Sequence, residues 1–308
     1  MSHGHTRIES KGSCIYCGER DAPLTDEHVV PFALGGQHVL VGASCRACAN
    51  ITTKFERDVA RDMWGDARIS YNASSRRKKE RATHVTLTDP DNPARRVKVP
   101  YKEYPAAMIF YKMGRCGLLE GLPEGVNVSS IWQLVAAHDD VKAKAFEGKF
   151  GVKLTSKFRH MPDSFARLIA KIGYCNIFCN LDLGDFRPIC LPYILGQKSN
   201  PSYIVGGTFE IGDPEQLGYR LSTYGFGLVD RLMLVAEVRL YCHLHTPTYH
   251  AVIGDVIGQA TIAHVLQKLG NVELLPCGNS PVPVDHHCAP RIWPLPFWRD
   301  TMPTLKAG

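Results

Sequence analysis

Hydrophobic and polar positions recur with different periods in the first 65 residues, and each period predicts one kind of element. Residues 39–45 (VLVGASC) favour a short strand, and the proline and glycines before them favour bends. Residues 49–65 (ANITTKFERDVARDMWG) place apolar side chains at near-helical spacing with charges between them, and this run closes on a glycine. The pattern therefore predicts the order strand, strand, helix.

Two later stretches have the pattern of β-hairpins. Residues 83–88 alternate, residues 89–93 (DPDNP) favour a turn, and residues 95–99 favour a second short strand. Residues 232–244 and 248–258 are rich in β-branched and aromatic side chains and flank a tight turn. The second hairpin is expected to lie in the core because both of its strands are strongly apolar.

Two stretches between the hairpins are predicted to be helical, residues 130–150 and residues 163–181. In the second helix we expect Asp163 to act as the N-cap. Its apolar positions fall on one face: Phe165, Leu168, Ile169 and Ile172. Such a face is typical of a helix that packs against a core.

A change of composition near residues 70–82 marks a candidate domain boundary. Residues 1–75 are predicted to form an N-terminal module, and residues 76–308 to form a larger α+β domain of open role. The proline-rich segment from residue 281 is expected to pack as irregular coil. The fold class predicted for the whole chain is therefore α+β.

Composition and charge narrow the class of protein. The chain has 308 residues, 44% hydrophobic and 21% charged, which is typical of a soluble globular protein. Its polar start lacks a signal-peptide pattern, and no run reaches the ~18 apolar residues of a membrane span. We therefore expect a cytoplasmic protein, in which the eleven cysteines serve as metal ligands or buried thiols rather than disulfides. The net charge of +6 is compatible with a polyanionic partner.

Four cysteines have the spacing of a structural zinc site. Cys14 and Cys17 form one CxxC pair, and Cys45 and Cys48 form a second. Two such pairs can bring four thiolates to the corners of a tetrahedron, the geometry that Zn²⁺ prefers. Four unrelated buried thiols, or a redox pair, are the alternatives, but no βαβ pattern supports the redox interpretation. A site with four thiolates has no open position, so any hydrolytic chemistry must lie elsewhere.

The segment between the two cysteine pairs contains a Glu-His step followed by Pro31 and a Leu-Gly-Gly sequence. Together with the cysteine pairs, it resembles the zinc-stapled branch of the HNH endonucleases. The residues that carry the resemblance are Cys14, Cys17, Glu27, His28, Val29, Val30, Pro31, Gly35, Gly36, Cys45 and Cys48. The resemblance covers residues 12–65, about a fifth of the chain, and the remainder resembles no family.

This resemblance implies a ββα-metal fold and a hydrolytic site. Phosphodiester hydrolysis needs a base for water and a cation for the phosphate charge. By the family pattern, His28 would be the general base, and Glu27 and Asn50 would hold Mg²⁺ or Mn²⁺. Neighbours on a strand point to opposite faces, so Glu27 and His28 can converge only if the backbone bends. Asp26 is the alternative ligand if the register shifts, and Glu56 is a reserve on the helix.

The sequence departs from the family pattern in two places. Ala49 occupies the position directly after the last cysteine, where relatives carry asparagine or histidine, and Asn50 follows one step on. One residue turns a side chain by about 100° around a helix, so this displacement matters. Leu40 stands where many relatives carry a second asparagine. His38 nearby is either a phosphate contact or, as we favour, a surface histidine.

A basic cluster precedes the first predicted hairpin. Its members are Arg76, Arg77, Lys78, Lys79 and Arg81. Beside a nuclease centre these side chains would contact phosphates, since Lys and Arg supply most of the non-specific affinity for nucleic acid. An ordinary solvated hairpin is the alternative.

A second group of histidines and cysteines lies near the C-terminus. It comprises Cys242, His243, His245, His250, His286, His287 and Cys288. A second metal site is one interpretation, but a core cysteine with exposed histidines at a hairpin explains the same residues more simply, because strand neighbours alternate in direction.

The sequence thus predicts a metal-dependent HNH endonuclease, bacterial or phage in type, with zinc as structural ion and DNA as substrate. The rival prediction is a non-catalytic zinc module that binds nucleic acid or a partner protein. The two differ in one measurable property, because a nuclease binds a second, labile divalent ion near Glu27 and His28. The sequence leaves cleavage specificity, the choice of DNA over RNA and the oligomeric state open.

Overall fold

The three-dimensional arrangement is that of a computed structural model. It describes residues 6–9, 11–71, 73, 78–153, 158–215, 218–228, 230–270, 273–274 and 291–293. Helices and strands are mixed throughout this part of the chain, as the α+β prediction expects. Among these residues, no helix combines the length and the apolar content that crossing a bilayer requires.

The N-terminal part is a small sheet followed by a helix, and we call it the finger (residues 11–70). Strands β2 (Leu24–His28) and β3 (His38–Cys45) are antiparallel, and β1 (Thr6–Ile8) pairs with β3 in parallel. Helix α1 (Arg46–Arg57) begins directly after β3. The predicted order of strand, strand and helix is confirmed.

The helical run after α1 does not end at Gly65. A π-helix spans Asp58–Met63, and helix α2 follows at Gly65–Ser70. Trp64 lies between them, is almost completely buried, and donates a hydrogen bond of 2.6 Å from Nε1 to the Ile109 carbonyl oxygen. This bond attaches the finger to the rest of the molecule.

The remaining elements form what we call the body. In chain order they are β4 (His84–Thr88), β5 (Arg96–Pro100), β6 (Met108–Lys112), β7 (Gln133–Ala137), α3 (Asp140–Phe150), α4 (Pro162–Ile177), β8 (Arg187–Pro188), α5 (Leu191–Ile194), β9 (Val205–Gly212), β10 (Tyr219–Leu228), β11 (Arg231–Leu240), β12 (Thr246–Ile257), α6 (Gln259–Leu269), β13 (Glu273–Leu274) and β14 (Arg291–Trp293). Short 3₁₀ turns occur at Phe32–Leu34, Lys78–Glu80, Ser129–Ile131 and Pro201–Tyr203.

The main sheet of the body has the strand order β13-β14-β10-β11-β12-β8 in the described part of the chain, and β9 also pairs with β12. Its centre is the antiparallel pair β11–β12, which confirms the second predicted hairpin. The pair β4–β5 confirms the first. Strands β6 and β7 form a separate two-stranded sheet.

Two sequence-based predictions for the helices were wrong. Residues 133–137 form strand β7, because they pair with β6, and only Asp140–Phe150 is helical there. Asp163 is not the N-cap of α4. Met161 occupies that position, and Asp163 lies in the first turn after Pro162. Proline suits the first helical position, since it lacks the N–H that would go unbonded there.

Helix α4 lies between the finger and the main sheet. On the sheet side, Phe165 packs against Tyr249 with ring centroids 5.0 Å apart, and a Cβ on Gly173 would collide with Ala236. On the finger side, the Arg167 guanidinium lies 4.9 Å from the centre of the Phe55 ring. The two sides share one continuous hydrophobic core. The domain boundary placed at residue 75 stays a prediction, since the adjoining segment is outside the described residues.

Candidate functional site

The four predicted zinc ligands lie together. Their Sγ atoms are all within 4.8 Å of one another, and those of Cys17 and Cys45 are 3.7 Å apart. A tetrahedral zinc with Zn–S bonds of about 2.3 Å requires sulfurs about 3.8 Å apart. The cluster comprises Cys14, Cys17, Cys45 and Cys48. These residues fit a zinc ion, and the predicted cluster is confirmed as a group that can hold one.

Local backbone geometry assembles this cluster. The Gly18 N–H donates to the Cys14 carbonyl oxygen at 2.8 Å, and a positive φ of 78° at Gly18 closes the first knuckle. Cys45 ends β3 and is the N-cap residue of α1, so Cys48 follows within the first helical turn. A zinc ion here would join the first loop to the junction of β3 and α1, which stabilises a module with a small core.

Glu27 and His28 end strand β2 and line one cavity of about 420 Å³. The pairing of β2 with β3 shifts register between Thr25 and Glu27, and such a bulge redirects the side chains beside it. The bulge lies before the Glu27–His28 step, and these two residues pair regularly with Leu40 and Val39, so the predicted bend between them is not present, although both line the cavity. The His28 ring, half-buried, packs against Phe32 with centroids 5.8 Å apart.

The double glycine after β2 has a steric cause. Gly35 caps the short 3₁₀ turn with a φ of 91°, a conformation that favours glycine. A Cβ on Gly36 would overlap the carbonyl oxygen of Val30. Both glycines are therefore needed for the chain to return to β3 and keep His28 at the mouth of the cavity.

A lysine from the body lies beneath this cavity. Lys171 of α4 is fully buried, and its Nζ is 2.7 Å from Glu27 Oε1 and 2.8 Å from Glu56 Oε1. It also donates a hydrogen bond of 2.5 Å to the His28 carbonyl oxygen. We call Glu27, Lys171 and Glu56 the charged cluster. Burying an ammonium costs several kcal/mol unless carboxylates compensate it, and here two of them do.

The charged cluster changes the pKa values of its members. Burial disfavours the charged form of Lys171, but the attraction of Glu27 and Glu56 outweighs burial and raises the lysine pKa. Burial raises the pKa of Glu56, and repulsion from Glu27 adds to this against the opposing effect of Lys171. One cation thus serves two carboxylates, and a formal charge of −1 remains.

Asp26, the alternative metal ligand, also lines the cavity but has other partners. Its Oδ1 accepts a hydrogen bond of 3.1 Å from the Gly42 N–H, and its Oδ2 is 2.9 Å from Nη2 of Arg7. The Gly42 hydrogen bond, followed by Arg7, lowers the pKa of Asp26. Asp26 therefore stays ionised, with both oxygens engaged.

Asn50 does not lie on the cavity wall. It is exposed on α1, whereas Ala49, Thr52 and Glu56 of the same helix line the cavity. The rotation of about 100° per helical residue accounts for this, because Asn50 follows the expected position by one step. The role of Asn50 as a metal ligand stays a prediction. The reserve ligand Glu56 is the helical residue that faces Glu27.

Three arginines of the same wall were missed by the sequence analysis: Arg57, Arg61 and Arg68. Arg68 donates hydrogen bonds to the carbonyl oxygens of Ala33 and Ala60 at 2.9 and 2.8 Å. Arg57 and Arg61 are exposed, and no carboxylate within the described residues pairs with them. In one continuous helix, a spacing of i, i+4 and i+11 would place these residues on one face. Here they belong to α1, the π-helix and α2 in turn, so the tertiary structure decides that they share the wall.

Other predicted site residues are placed as follows. Arg76 and Arg77 lie outside the described residues, Lys78 begins a short 3₁₀ turn, Lys79 is exposed and Arg81 is half-buried. Burial and then the charge of Arg81 lower the pKa of Arg68, so the basic cluster approaches the cavity wall. A role of this cluster at phosphates stays a prediction.

Within the described part of the chain, the four cysteines are the only group of His, Cys, Asp and Glu with metal-site spacing. The predicted preference against a second metal site stays a prediction, because His286, His287 and Cys288 lie outside the described residues. His38 is half-buried, and its Nδ1 lies 3.3 Å from the Tyr219 hydroxyl of β10. It therefore contacts the body rather than standing free on the surface.

The cavity wall thus combines an imidazole, carboxylate oxygens and guanidinium groups. Glu27 pairs with Lys171 through Oε1 at 2.7 Å. Carboxylate oxygens are the kind of donor that a hard divalent cation such as Mg²⁺ prefers. Comparison with protein-family models, with curated proteins and with solved structures gave no match. The wall presents carboxylate oxygens and guanidinium groups side by side.

Proposed function

We propose that the protein is a metal-dependent endonuclease of the HNH type that hydrolyses phosphodiester bonds in DNA. The observation that carries this proposal is that Glu27, His28 and Glu56 line one open cavity at the end of a zinc-stapled strand–strand–helix unit. A base, a place for a cation and an entrance for substrate are what such hydrolysis requires.

In this proposal, His28 takes the proton from the attacking water. Glu27 would hold Mg²⁺ or Mn²⁺ through its carboxylate, and the ion would supply positive charge at the scissile phosphate. The family pattern assigns the other ligand to Asn50. Glu56 has the better position for that role, since it faces the cavity and Asn50 does not.

The substrate would lie along the arginines of the wall. Arg57 and Arg61 carry no carboxylate partner within the described residues, so their charge is available for phosphates. Phosphate contacts of this kind supply affinity without sequence preference. Lys79 and Arg81 would extend the same positive surface.

The rival function is that of a zinc module that binds nucleic acid without cleaving it. Two observations favour this rival. Asn50 lies off the wall, and one oxygen of Glu27 is already paired with Lys171. Both reduce the number of metal ligands relative to the family pattern. A protein of this kind would hold its zinc, bind DNA through the arginines and need no further ion.

The test is a plasmid-nicking assay with the zinc-loaded full chain in Mg²⁺ or Mn²⁺. Wild type should nick supercoiled DNA, and His28→Ala should reduce the rate by about 10²–10⁴-fold, the usual contribution of a general base. His264→Ala, which removes an exposed histidine of α6, is the matched control and should leave the rate unchanged. DNA binding by a wild type that never nicks would favour the rival.

A further inference from the structure

The charged cluster contains a residue that the ββα resemblance does not supply. Lys171 belongs to α4 of the body, yet its ammonium contacts two carboxylates and one carbonyl oxygen of the finger. The contact with the His28 carbonyl oxygen is a hydrogen bond, and the contacts with Glu27 and Glu56 are ion pairs. The lysine is therefore fully committed to the finger.

The packing of α4 does not by itself require a charge at this position. The residues on either side, Ala170 and Ile172, are completely buried and apolar. An uncharged side chain of similar length, such as methionine, would fill the same space without the desolvation cost of an ammonium. Replacing buried ion pairs with apolar residues is often neutral or stabilising, so stability alone is a weak reason for the cluster.

The three acceptors come from two elements that must meet for the site to form. Glu27 and the His28 carbonyl belong to the end of β2, and Glu56 belongs to α1. Lys171 thus fixes the distance between the strand that carries the imidazole and the helix that carries the second carboxylate. It does so from below, leaving the cavity side open.

We infer that Lys171 is a positioning residue of the proposed site, holding Glu27 and the His28 backbone and occupying the space between the Oε1 atoms of Glu27 and Glu56. The inference rests on the proposed function. An ammonium within 2.8 Å of both Oε1 atoms excludes a divalent cation from that space, so Glu27 and Glu56 would hold such an ion only from the cavity side. A divalent ion is thereby directed to the cavity side, next to His28.

Charge fixes the direction of the expected effects. The cluster carries a formal charge of −1, which becomes −2 in Lys171→Met and 0 in Glu56→Gln. The first variant should bind Mn²⁺ at least about tenfold more tightly, and the second at least about tenfold more weakly, since each unit charge acts at close range. In Lys171→Met the Mn²⁺ ion would bind more tightly but between the two carboxylates, away from His28. The half-saturating Mn²⁺ concentration should therefore fall, and kcat for nicking should fall as well.

The experiment measures the Kd of Mn²⁺ for zinc-loaded, full-length protein by calorimetry, and separately the Mn²⁺ dependence of nicking. Lys268→Met is the matched control, because Lys268 also pairs with two carboxylates, Asp182 and Asp185, each at 2.8 Å, but far from the cavity. Its Kd for Mn²⁺ should equal that of wild type. If Lys171→Met does not fold, Lys171→Gln, which also removes the charge, takes its place beside Glu56→Gln.

The outcomes separate the inference from the function on which it rests. Opposite shifts in the two variants support the inference. The inference would be overturned if the Kd of Mn²⁺ were unchanged in both variants, or if activity fell only in proportion to the unfolded fraction of the protein. Either result would leave the nuclease proposal standing. A wild type that neither binds Mn²⁺ nor nicks DNA would remove both proposals.

Discussion

The finger contains two polar clusters, one at each end of its helix. The four cysteines come from one short stretch of chain, residues 14–48, and gather around a site that fits zinc. The charged cluster takes its carboxylates from the finger but its cation from α4 of the body. The cysteine cluster links two parts of the finger, and the charged cluster links the finger to the body. A module with so small a core gains order from both connections.

The two clusters also differ in whether they leave a position free for another ligand. Four thiolates complete a tetrahedron and exclude substrate. One ammonium shared by two carboxylates leaves oxygens and a charge of −1 facing a cavity. In the proposed function, the structural and the chemical site would thus lie at opposite ends of one helix, and the following predictions test that separation.

The largest effect should follow from removal of the zinc ligands. Cys48→Ala should abolish zinc binding and unfold the finger, because structural zinc contributes about 10–16 kcal/mol in small zinc modules. Zinc content and thermal melting measure this. Cys179→Ala removes a half-buried thiol outside the cluster and should retain one zinc per chain. An unaltered melt for zinc-free Cys48→Ala would contradict the structural role.

The charged cluster should contribute less than the zinc site to the free energy of unfolding. Lys171→Met leaves two carboxylates without their shared cation, and breaking a buried pair in this way costs about 3–5 kcal/mol. Urea denaturation of the zinc-loaded protein measures the free energy of unfolding. Lys268→Met should change it little, since that lysine is partly exposed and its ion pairs are weakened by solvent. Equal losses in the two variants would refute the distinction between them.

A smaller effect, on binding alone, is expected at the arginines of the wall. In a His28→Ala background without divalent ions, Arg57→Gln/Arg61→Gln should weaken duplex DNA binding and reduce the slope of log K against log salt by about 1.8, roughly 0.9 per lost charge. Fluorescence anisotropy at several salt concentrations gives the slope. Lys54→Gln, an exposed lysine of α1 away from the cavity, is the control and should keep the wild-type slope.

The smallest effect concerns pH. The pKa of Glu56 is higher in the folded state than the ordinary glutamate pKa of about 4.3. Protonation of Glu56 therefore stabilises the folded state. This stabilisation is lost as the pH rises from about 4.3 through the folded-state pKa. Glutamine mimics the protonated form. The unfolding free energy of Glu56→Gln relative to wild type should therefore increase with pH over that window. A difference that is constant or falls with pH would show that Lys171 outweighs burial.

Individual residues show why some predictions were confirmed and others were wrong. Strand β7 was predicted as helix because its partner β6 lies far away in sequence, and cross-strand pairing outweighed local preference. Asp163 suited an N-cap by residue type, but Pro162 already began the helix. Asn50 was chosen from the family pattern by its place after Cys48. The helix rotation leaves it off the cavity wall, and its role as a metal ligand stays a prediction.

The sequence by itself determined the zinc cluster, the strand–strand–helix order and the neighbouring Glu27 and His28, because each depends on spacing within one short segment. Only the tertiary structure decided that Lys171 meets Glu27 and Glu56, and that Arg57 and Arg61 share their cavity. The reason is physical. A buried charge is tolerated only where distant elements bring its counter-ions together, and no local pattern records which elements will pack.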